Sequence, residues 1–114
     1  MYSKKLETEL DQLSHSSFEL QKKKMFGGLG YLYKGHMVVG VYKDYLIIRV
    51  GSAQLDDLLQ TYAFIEPANI MGKIMRGWGM VEQSQCTPEL IEKLTQKCID
   101  FVMGLPGKPT LDRA

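Results

Sequence analysis

Three glycines lie within four residues near the start of the chain, and clustered glycines are one arrangement that can hold a phosphate group. They are Gly27, Gly28 and Gly30, in the segment MFGGLGYLYKG. A dinucleotide-binding loop needs G-x-G-x-x-G between a strand and a helix, so that backbone N–H groups meet the pyrophosphate. Here Tyr33 occupies the third glycine position, and the following residues alternate as in a strand. The Gly-Lys-Ser/Thr triplet of a P-loop is also absent from the sequence, so we predict a structural role for these glycines.

The side chains that most often catalyse reactions or bind metals are few and widely spaced. The two histidines, His15 and His36, lie far from the two cysteines, and no Cys-x-x-Cys or His-x-x-x-His spacing occurs. No Gly-x-Ser-x-Gly nucleophile elbow is present. We therefore expect no enzyme activity, no metal and no cofactor.

Length, charge and cysteine use narrow the class of protein. The chain has 114 residues and a net charge of +1, which suits one domain without a global basic field for nucleic acid. Its N-terminus mixes charged and apolar residues, which predicts neither a signal peptide nor a membrane span, so we expect a cytoplasmic protein with reduced thiols. Cys98 lies in an apolar helical stripe and is predicted to be core. Cys86 precedes a helix cap and is predicted to be partly exposed.

The N-terminal segment has the pattern of an amphipathic helix. Leucines at positions 6, 10 and 13 recur at helical spacing between acidic residues, which predicts a helix over Lys4–Ser14 capped by Ser3. The basic run Lys22–Lys24 comes later and is predicted to be a solvated linker, since short charge runs usually face water.

The hydrophobic period changes to two over Met25–Val50. Three β-rich runs are separated by Lys34-Gly35 and by Lys43-Asp44, which predicts two tight hairpins and a three-stranded antiparallel meander. Gly35 can adopt the positive φ that the first turn requires.

The second half of the chain predicts two helices around a β-pair. Ser52 is the predicted cap of a second helix, and residues 64–82 are a second, less regular β-pair. Thr87-Pro88-Glu89 predicts the start of a C-terminal helix that ends at Gly104. The inner stripe of that helix is predicted to be Leu90, Ile91, Leu94, Cys98, Phe101 and Val102.

These elements predict an α+β fold in the order α-β-β-β-α-β-β-α. The domain is expected to span residues 1–105, followed by a loose, proline-containing tail over residues 106–114.

The pairing of the first hairpin predicts a role for its glycines. If the strands pair without a break across Lys34-Gly35, Gly30 faces Val39 and Gly28 faces Val41. All four lie on the apolar face of the sheet, which is the predicted core face. The glycines would then leave a trough in which a helix can approach the sheet closely.

The opposite face of the meander is predicted to combine tyrosines with an arginine. In this register it carries Leu29, Tyr31, Tyr33, His36, Val38, Tyr42, Tyr45, Ile47 and Arg49. Such a mixture is typical of a partly wet interface, and the alternative is a face half covered by the other helices. Arg76 and Trp78 alternate to one side of a later strand, with core anchoring as the alternative for Trp78. The candidate contact residues are Tyr31, Tyr33, Arg49, Arg76 and Trp78.

The segment KKMFGGLGYLYKGHMVVGVYKDYLIIRVG resembles the signature of the TfoX/Sxy N-terminal domain. The matching elements are Met25–Gly28, Gly35 and Arg49–Gly51. MGKIMRGWGMV is similar to a later family strand through Gly72, Met75, Gly77 and Trp78. The ending FVMGLPGKP is similar to the tail of short family members, so the resemblance covers nearly the whole chain.

The resemblance implies an α+β domain with an antiparallel sheet. In the two-domain regulators of the family it implies a role in transcription, where they assist the cyclic-AMP receptor protein at competence promoters. This sequence ends after the first of those domains, so we expect a single-domain member. The expected function is that of a small non-enzymatic interaction domain, with a protein partner such as the transcription machinery.

Two other functions and one assembly remain open at this stage. Direct nucleic-acid binding would use Lys22–Lys24, Lys34, Lys73 and Arg76 as phosphate contacts, with a strongly salt-dependent affinity. A small-molecule-binding domain would use the glycine trough. A homodimer could form through the exposed sheet face or a sheet edge.

Overall fold

The computed structural model describes residues 2–16, 18–25 and 27–105. Its elements are α1 (Lys4–Ser16), β1 (Gln21–Met25), β2 (Gly28–Tyr33), β3 (His36–Tyr42), β4 (Tyr45–Arg49), α2 (Ser52–Thr61), β5 (Ile65–Ile70), β6 (Lys73–Glu82), a 3-10 turn (Gln83–Gln85) and α3 (Pro88–Met103). The predicted α+β class is confirmed. The tail predicted over residues 106–114 lies outside the described residues. None of the described helices is long and apolar enough to cross a membrane.

The six strands of the described residues form one antiparallel sheet in the order β1-β2-β3-β4-β6-β5. The pairing of β4 with β6 joins the predicted meander to the predicted β-pair. In that pairing Tyr45 lies opposite Glu82, and Arg49 lies opposite Trp78. The sheet therefore brings together two residues that are far apart in the chain and that the sequence marked as contact candidates.

A strand lies where a solvated linker was predicted. Lys22–Lys24 belong to β1, in which Lys22 lies opposite Tyr31 and Lys24 lies opposite Leu29. The linker prediction was wrong because edge strands accept lysines, whose long side chains stay in water while the backbone pairs. All three lysines are indeed exposed. Because β1 is held by backbone pairing with β2, its own side chains need not alternate between apolar and polar, and its sequence does not predict a strand.

Two helices begin at the predicted caps. The Ser3 hydroxyl oxygen accepts the Leu6 N–H at 3.1 Å at the start of α1. The Thr87 hydroxyl oxygen accepts the Leu90 N–H at 3.1 Å at the start of α3, and Pro88 is the first residue of that helix. Each cap satisfies a backbone donor that has no partner within the helix.

The helices pack on one face of the sheet and bury the core there. α3 contacts β3 and β4, α2 contacts β5 and β6, and α1 contacts α3. Apolar side chains from both layers form the core, among them Leu6, Leu10, Val39, Val41, Leu46, Ile48, Leu55, Val81, Ile91, Leu94 and Cys98. Burial of this apolar surface is the main favourable term for a domain of this size.

A β-bulge in the β2–β3 hairpin shifts the predicted register. The turn pairs Tyr33 with His36, as uninterrupted pairing requires, but Val39 lies opposite Tyr31 instead of Gly30. Side chains alternate between the two faces of a strand. One additional residue in β3 therefore moves the rest of β2 to the other face.

The predicted faces of β2 are wrong for this reason. Leu29 and Tyr31 are buried under the helices, while Gly28 and Gly30 face the other side of the sheet. A Cβ added at Gly30 would lie 2.6 Å from the Met25 sulfur. The glycine thus makes room for a methionine of the neighbouring strand and not for a helix, and the small-molecule site predicted in the trough loses its basis.

The turns around β2 and β3 follow the sequence prediction. Gly27 and Gly35 have φ values of 77° and 86°, and Lys34 has a φ of 51°, so the two-residue turn at Lys34-Gly35 is left-handed throughout. This conformation matches the twist of the paired strands. The β3–β4 hairpin keeps the predicted register, with Tyr42 opposite Tyr45.

Candidate interaction surface

The β5–β6 hairpin folds back across the face of the sheet that the helices leave open. Tyr42 of β3 and Glu82 of β6 lie in the same row across the sheet, because each is paired with Tyr45 of β4. If the hairpin were straight, Met71 would lie roughly 35 Å from Glu82, past Trp78 at the opposite end of β6, at the usual strand rise per residue. Instead, the Met71 N–H donates to the Tyr42 hydroxyl at 3.1 Å. The turn of the β5–β6 hairpin must therefore lie over the β3–β4 hairpin near its turn, where Tyr42 is located.

The bend is a large irregularity in β6. Pro67 lies opposite Gly79, but the next residue of β5, Ala68, lies opposite Met75. Residues 76–78 of β6 therefore have no partner in β5. Three additional residues in one strand produce a stronger local bend than the single residue of an ordinary bulge.

Gly77 lies at the centre of this bend. Its φ is 82°, which residues with a side chain rarely adopt. Its carbonyl oxygen accepts the N–H groups of Val50 and Gly51 at 3.1 and 2.9 Å. The bend is thereby attached to the segment between β4 and α2.

The folded hairpin covers part of the outer sheet face. Ile47 alternates with the core residues Leu46 and Ile48 and so faces away from the helices, yet it is only 1% exposed. Ala68, in β5, is fully buried. The burial of Ile47 and Ala68 shows that the β5–β6 hairpin, and not a helix, covers part of the outer face. The sequence predicted a partly wet interface on this face or a face half covered by helices.

The tip of the hairpin is apolar and basic. Met71 is 73% exposed and Ile74 is 63% exposed, which makes them two of the three large hydrophobic side chains that the described part of the chain exposes most. Lys73 and Arg76 are exposed beside them. No acidic residue occurs in the segment 70–76. We refer to residues 70–76 as the hairpin tip.

Arg49 is held against two aromatic rings. Its guanidinium carbon lies 5.4 Å from the centre of the Trp78 ring and 5.8 Å from that of Phe101, within the range of cation–π attraction. One guanidinium N–H donates to the Met37 carbonyl oxygen at 3.4 Å. The described residues offer Arg49 no carboxylate. Arg49 is thus a half-buried cation, positioned by rings from β6 and α3.

A cavity of about 250 Å³ lies beside Arg49, where the bend meets the start of α2. Its lining residues are Arg49, Gly51, Ser52, Arg76, Gly77, Trp78 and Phe101. We refer to it as the arginine cavity. α2 begins after Gly51, which has a φ of 85° and no capping side chain. The predicted Ser52 cap is therefore wrong, because Ser52 is already the first helical residue.

Three of the five predicted contact residues line this one cavity: Arg49, Arg76 and Trp78. Trp78 is half-buried and is not a member of the core cluster. Phe101 was assigned only to the inner stripe of its helix, because helical spacing does not distinguish a core residue from one at the end of the sheet. Its contact with Arg49 had no signal in the sequence.

The other two predicted contact residues lie elsewhere. Tyr31 is fully buried, and its hydroxyl donates to Asp11 at 2.8 Å, so the outer-face position predicted for it is wrong. It has no exposed surface for a partner. Tyr33 is half-buried and lines a different cavity of about 560 Å³, together with Leu20 and Lys34.

The basic run of β1 is partly neutralised. The Lys22 ammonium lies 2.6 Å from a Glu7 carboxylate oxygen and 3.1 Å from one of Asp11. The pKa of Lys22 is raised, mainly by the hydrogen bond to Glu7 and to a smaller extent by the hydrogen bond to Asp11. Lys22 therefore ties β1 to α1, which leaves a weaker basic surface than the nucleic-acid alternative requires.

Neither thiol is placed for chemistry. Cys98 lies in the core as predicted, but Cys86 is only 3% exposed, so the prediction of partial exposure is wrong. Burial raises the pKa of Cys86 to about 11 and that of Cys98 to about 12. Both remain protonated at neutral pH and are poor nucleophiles. Within the described ranges no three His, Cys, Asp or Glu residues gather to hold a metal ion.

The chain matches one family model along most of its length. The match covers residues 11–100, and the model is described as the TfoX N-terminal domain. It includes the hairpins, the bend at Gly77 and most of α3. No curated protein and no solved structure matches the chain. Because the family model spans well over half of the 114 residues, the chain belongs to the TfoX N-terminal domain family.

Proposed function

We propose that this chain is a small, non-enzymatic interaction domain that acts in transcription regulation through protein contacts. The observation that carries the proposal is the hairpin tip, which exposes Met71 and Ile74 beside Lys73 and Arg76. Exposed apolar side chains with a basic rim are typical of surfaces that bind other proteins. Membership of the TfoX N-terminal domain family supports a regulator-like role.

The charge of the hairpin tip defines the chemistry of the partner. Two cations flank the apolar side chains, and no carboxylate of the same segment balances them. The complementary surface is an acidic segment of a protein that also carries apolar side chains. Nucleic acid would satisfy the cations but would leave Met71 and Ile74 in water.

A variant pair tests this surface. The double variant Met71→Ser/Ile74→Ser removes the apolar part of the hairpin tip, and Met103→Ser removes the third exposed hydrophobic side chain, which is 61% exposed on α3. In affinity capture from a cell lysate treated with nuclease, we expect the amount of partner recovered by the double variant to be about one tenth of that recovered by the wild type. The Met103→Ser control should recover it fully.

Two results would contradict the proposal. Equal recovery by the wild type and by the double variant, with Arg76→Ala also unchanged, would exclude this surface. Recovery that disappears after nuclease treatment, with a steep dependence on salt, would favour the nucleic-acid alternative.

A further inference from the structure

Among the described residues, the arginine cavity holds two cations, Arg49 and Arg76, and no anion that balances them. Arg49 uses one guanidinium N–H in a hydrogen bond at 3.4 Å, and its remaining donors have no acceptor among the described residues. Arg76 lines the same cavity and also has no ion pair in the described part of the chain. Holding a half-buried cation without a counter-charge is unfavourable. An anionic ligand would relieve this.

The Arg49 side chain is pre-organised for such a ligand. The rings of Trp78 and Phe101 hold its planar guanidinium, which reduces the side-chain entropy that binding would cost. A guanidinium held in one plane can donate two parallel hydrogen bonds to an oxyanion. Arg76 is exposed and can approach the same anion from the solvent side.

The size and charge of the cavity identify the ligand class. Its volume of about 250 Å³ is below the usual range for sites that enclose a whole cofactor. It suits a single anionic group. Two guanidinium charges match a phosphate monoester, with a charge of about −1.5 to −2 at neutral pH, better than they match a carboxylate.

We propose that the arginine cavity binds a phosphate monoester group. Arg49 supplies the paired hydrogen bonds, and Arg76 supplies the second positive charge. The group can belong to a small phosphorylated metabolite or to a phosphorylated side chain. Arg76 also belongs to the hairpin tip, but Met71 and Ile74 do not line the cavity, so the double variant Met71→Ser/Ile74→Ser tests the docking surface separately from this site.

Trp78 makes the site directly observable. It is the only tryptophan of the chain and lines the cavity, so its fluorescence reports on binding there. Glycerol 3-phosphate and a phosphoserine peptide without tryptophan would be titrated into the full chain at constant ionic strength. We expect a saturable change in emission, with a Kd about tenfold lower than that for acetate or the unphosphorylated peptide.

Three variants test the assignment of residues. Arg76→Gln, at an exposed position, and Arg49→Lys, which keeps the charge but loses the planar fork, should each raise the Kd about tenfold. Lys24→Gln removes one positive charge on β1, at the edge of the sheet, and should leave the Kd within about twofold. Circular dichroism would verify that each variant is folded. If Arg49→Lys does not fold, the Kd of Arg76→Gln alone tests the proposal.

The two phosphate probes distinguish the source of the group. A peptide that binds about tenfold more tightly than glycerol 3-phosphate would indicate a phosphorylated protein, and the reverse preference would indicate a small phosphorylated metabolite. Equal affinities would show that the phosphate group alone is recognised. No saturable change up to about 10 mM of either probe, or an equal loss with Lys24→Gln, would overturn the proposal. That result would leave the hairpin-tip experiment unaffected.

Discussion

At the scale of single residues, Tyr31 links the first helix to the sheet. Its buried hydroxyl donates to one Asp11 oxygen at 2.8 Å, and the Lys22 ammonium lies 3.1 Å from the other. Burial, followed by the hydrogen bond to Asp11, raises the pKa of Tyr31 far above its ordinary value. The hydroxyl therefore remains a donor throughout the neutral range.

Removal of this hydroxyl gives the first prediction. Tyr31→Phe keeps the buried ring but removes the hydrogen bond, and we expect the free energy of unfolding to fall by about 1 kcal/mol. Urea unfolding would measure the change. Tyr45→Phe is the matched control, since the described residues show no hydrogen bond from its hydroxyl. If both variants lost the same free energy of unfolding, the hydrogen bond to Asp11 would not contribute to stability.

The buried thiols give a second prediction, on pH. The pKa values of about 11 for Cys86 and about 12 for Cys98 exceed the roughly 8.5 of an unfolded thiol. The stabilisation from these thiols is complete below about pH 8.5. It is lost as the pH rises toward the folded pKa values, because only the unfolded chain releases the protons there.

Urea unfolding at several pH values above about 8.5 would measure this loss of stability. A thiol reagent such as DTNB tests the burial that causes it. At pH 8 we expect both cysteines of the native chain to react at least about 100-fold more slowly than in urea, because reaction requires opening of the fold. The variants Cys86→Ser and Cys98→Ser would assign any faster phase. Rapid reaction of native Cys86 would show that its burial is not maintained in solution.

At the scale of elements, the bend in β6 shapes the candidate surface. Gly77 and Gly72 have φ values of 82° and 83°, so a side chain at either strains the backbone similarly. Their surroundings differ. A Cβ at Gly77 would lie 3.3 Å from the Gly51 Cα and from the Ser52 nitrogen, whereas nothing lies within 4 Å of one at Gly72.

This contrast gives a third prediction. Gly72→Ala should cost about 1 kcal/mol of unfolding free energy through the left-handed backbone alone. Gly77→Ala should cost about 1 kcal/mol more, since the bend must also move away from α2, and it should speed hydrogen exchange at the Met71 amide. Equal effects in stability and exchange would show that the contact with α2 does not hold the hairpin.

The elements themselves differ in how well the sequence predicts them. Local signals were sufficient for the caps at Ser3 and Thr87 and for the turn at Lys34-Gly35, because each depends on a few adjacent residues. β1 was missed because its lysines carry no strand pattern. The bend at Gly77 was missed because a positive φ is a property of the folded backbone, and a glycine in a strand is compatible with many conformations.

At the scale of the whole molecule, the edges of the sheet bear on self-association. One edge is β1, with three lysines, and the other is β5, which contains Pro67. Lysines and proline both discourage pairing with a second sheet. We therefore expect a monomer, in place of the homodimer that the sequence left open.

The fourth prediction tests the edge at β1. Lys23→Val/Lys24→Val replaces two of the three exposed lysines of that strand, and we expect measurable dimers at about 100 µM in sedimentation experiments where the wild type is monomeric. Lys4→Val/Gln12→Val makes a similar change on the exposed side of α1 and should stay monomeric. A wild type that already dimerises would contradict the protective role of the lysines.

The sequence by itself determined the three described helices, the turns at Lys34-Gly35 and Lys43-Asp44 and the α+β class, because periodicity, caps and turn residues act over short distances. Its motifs carried the resemblance to the family. Only the tertiary structure decided which face of β2 is buried, since one bulged residue exchanges the two faces. It also decided that Arg49, Arg76, Trp78 and Phe101 meet at one cavity. That meeting depends on the pairing of β4 with β6 and on the bend at Gly77, both of which arise from contacts between segments far apart in the chain.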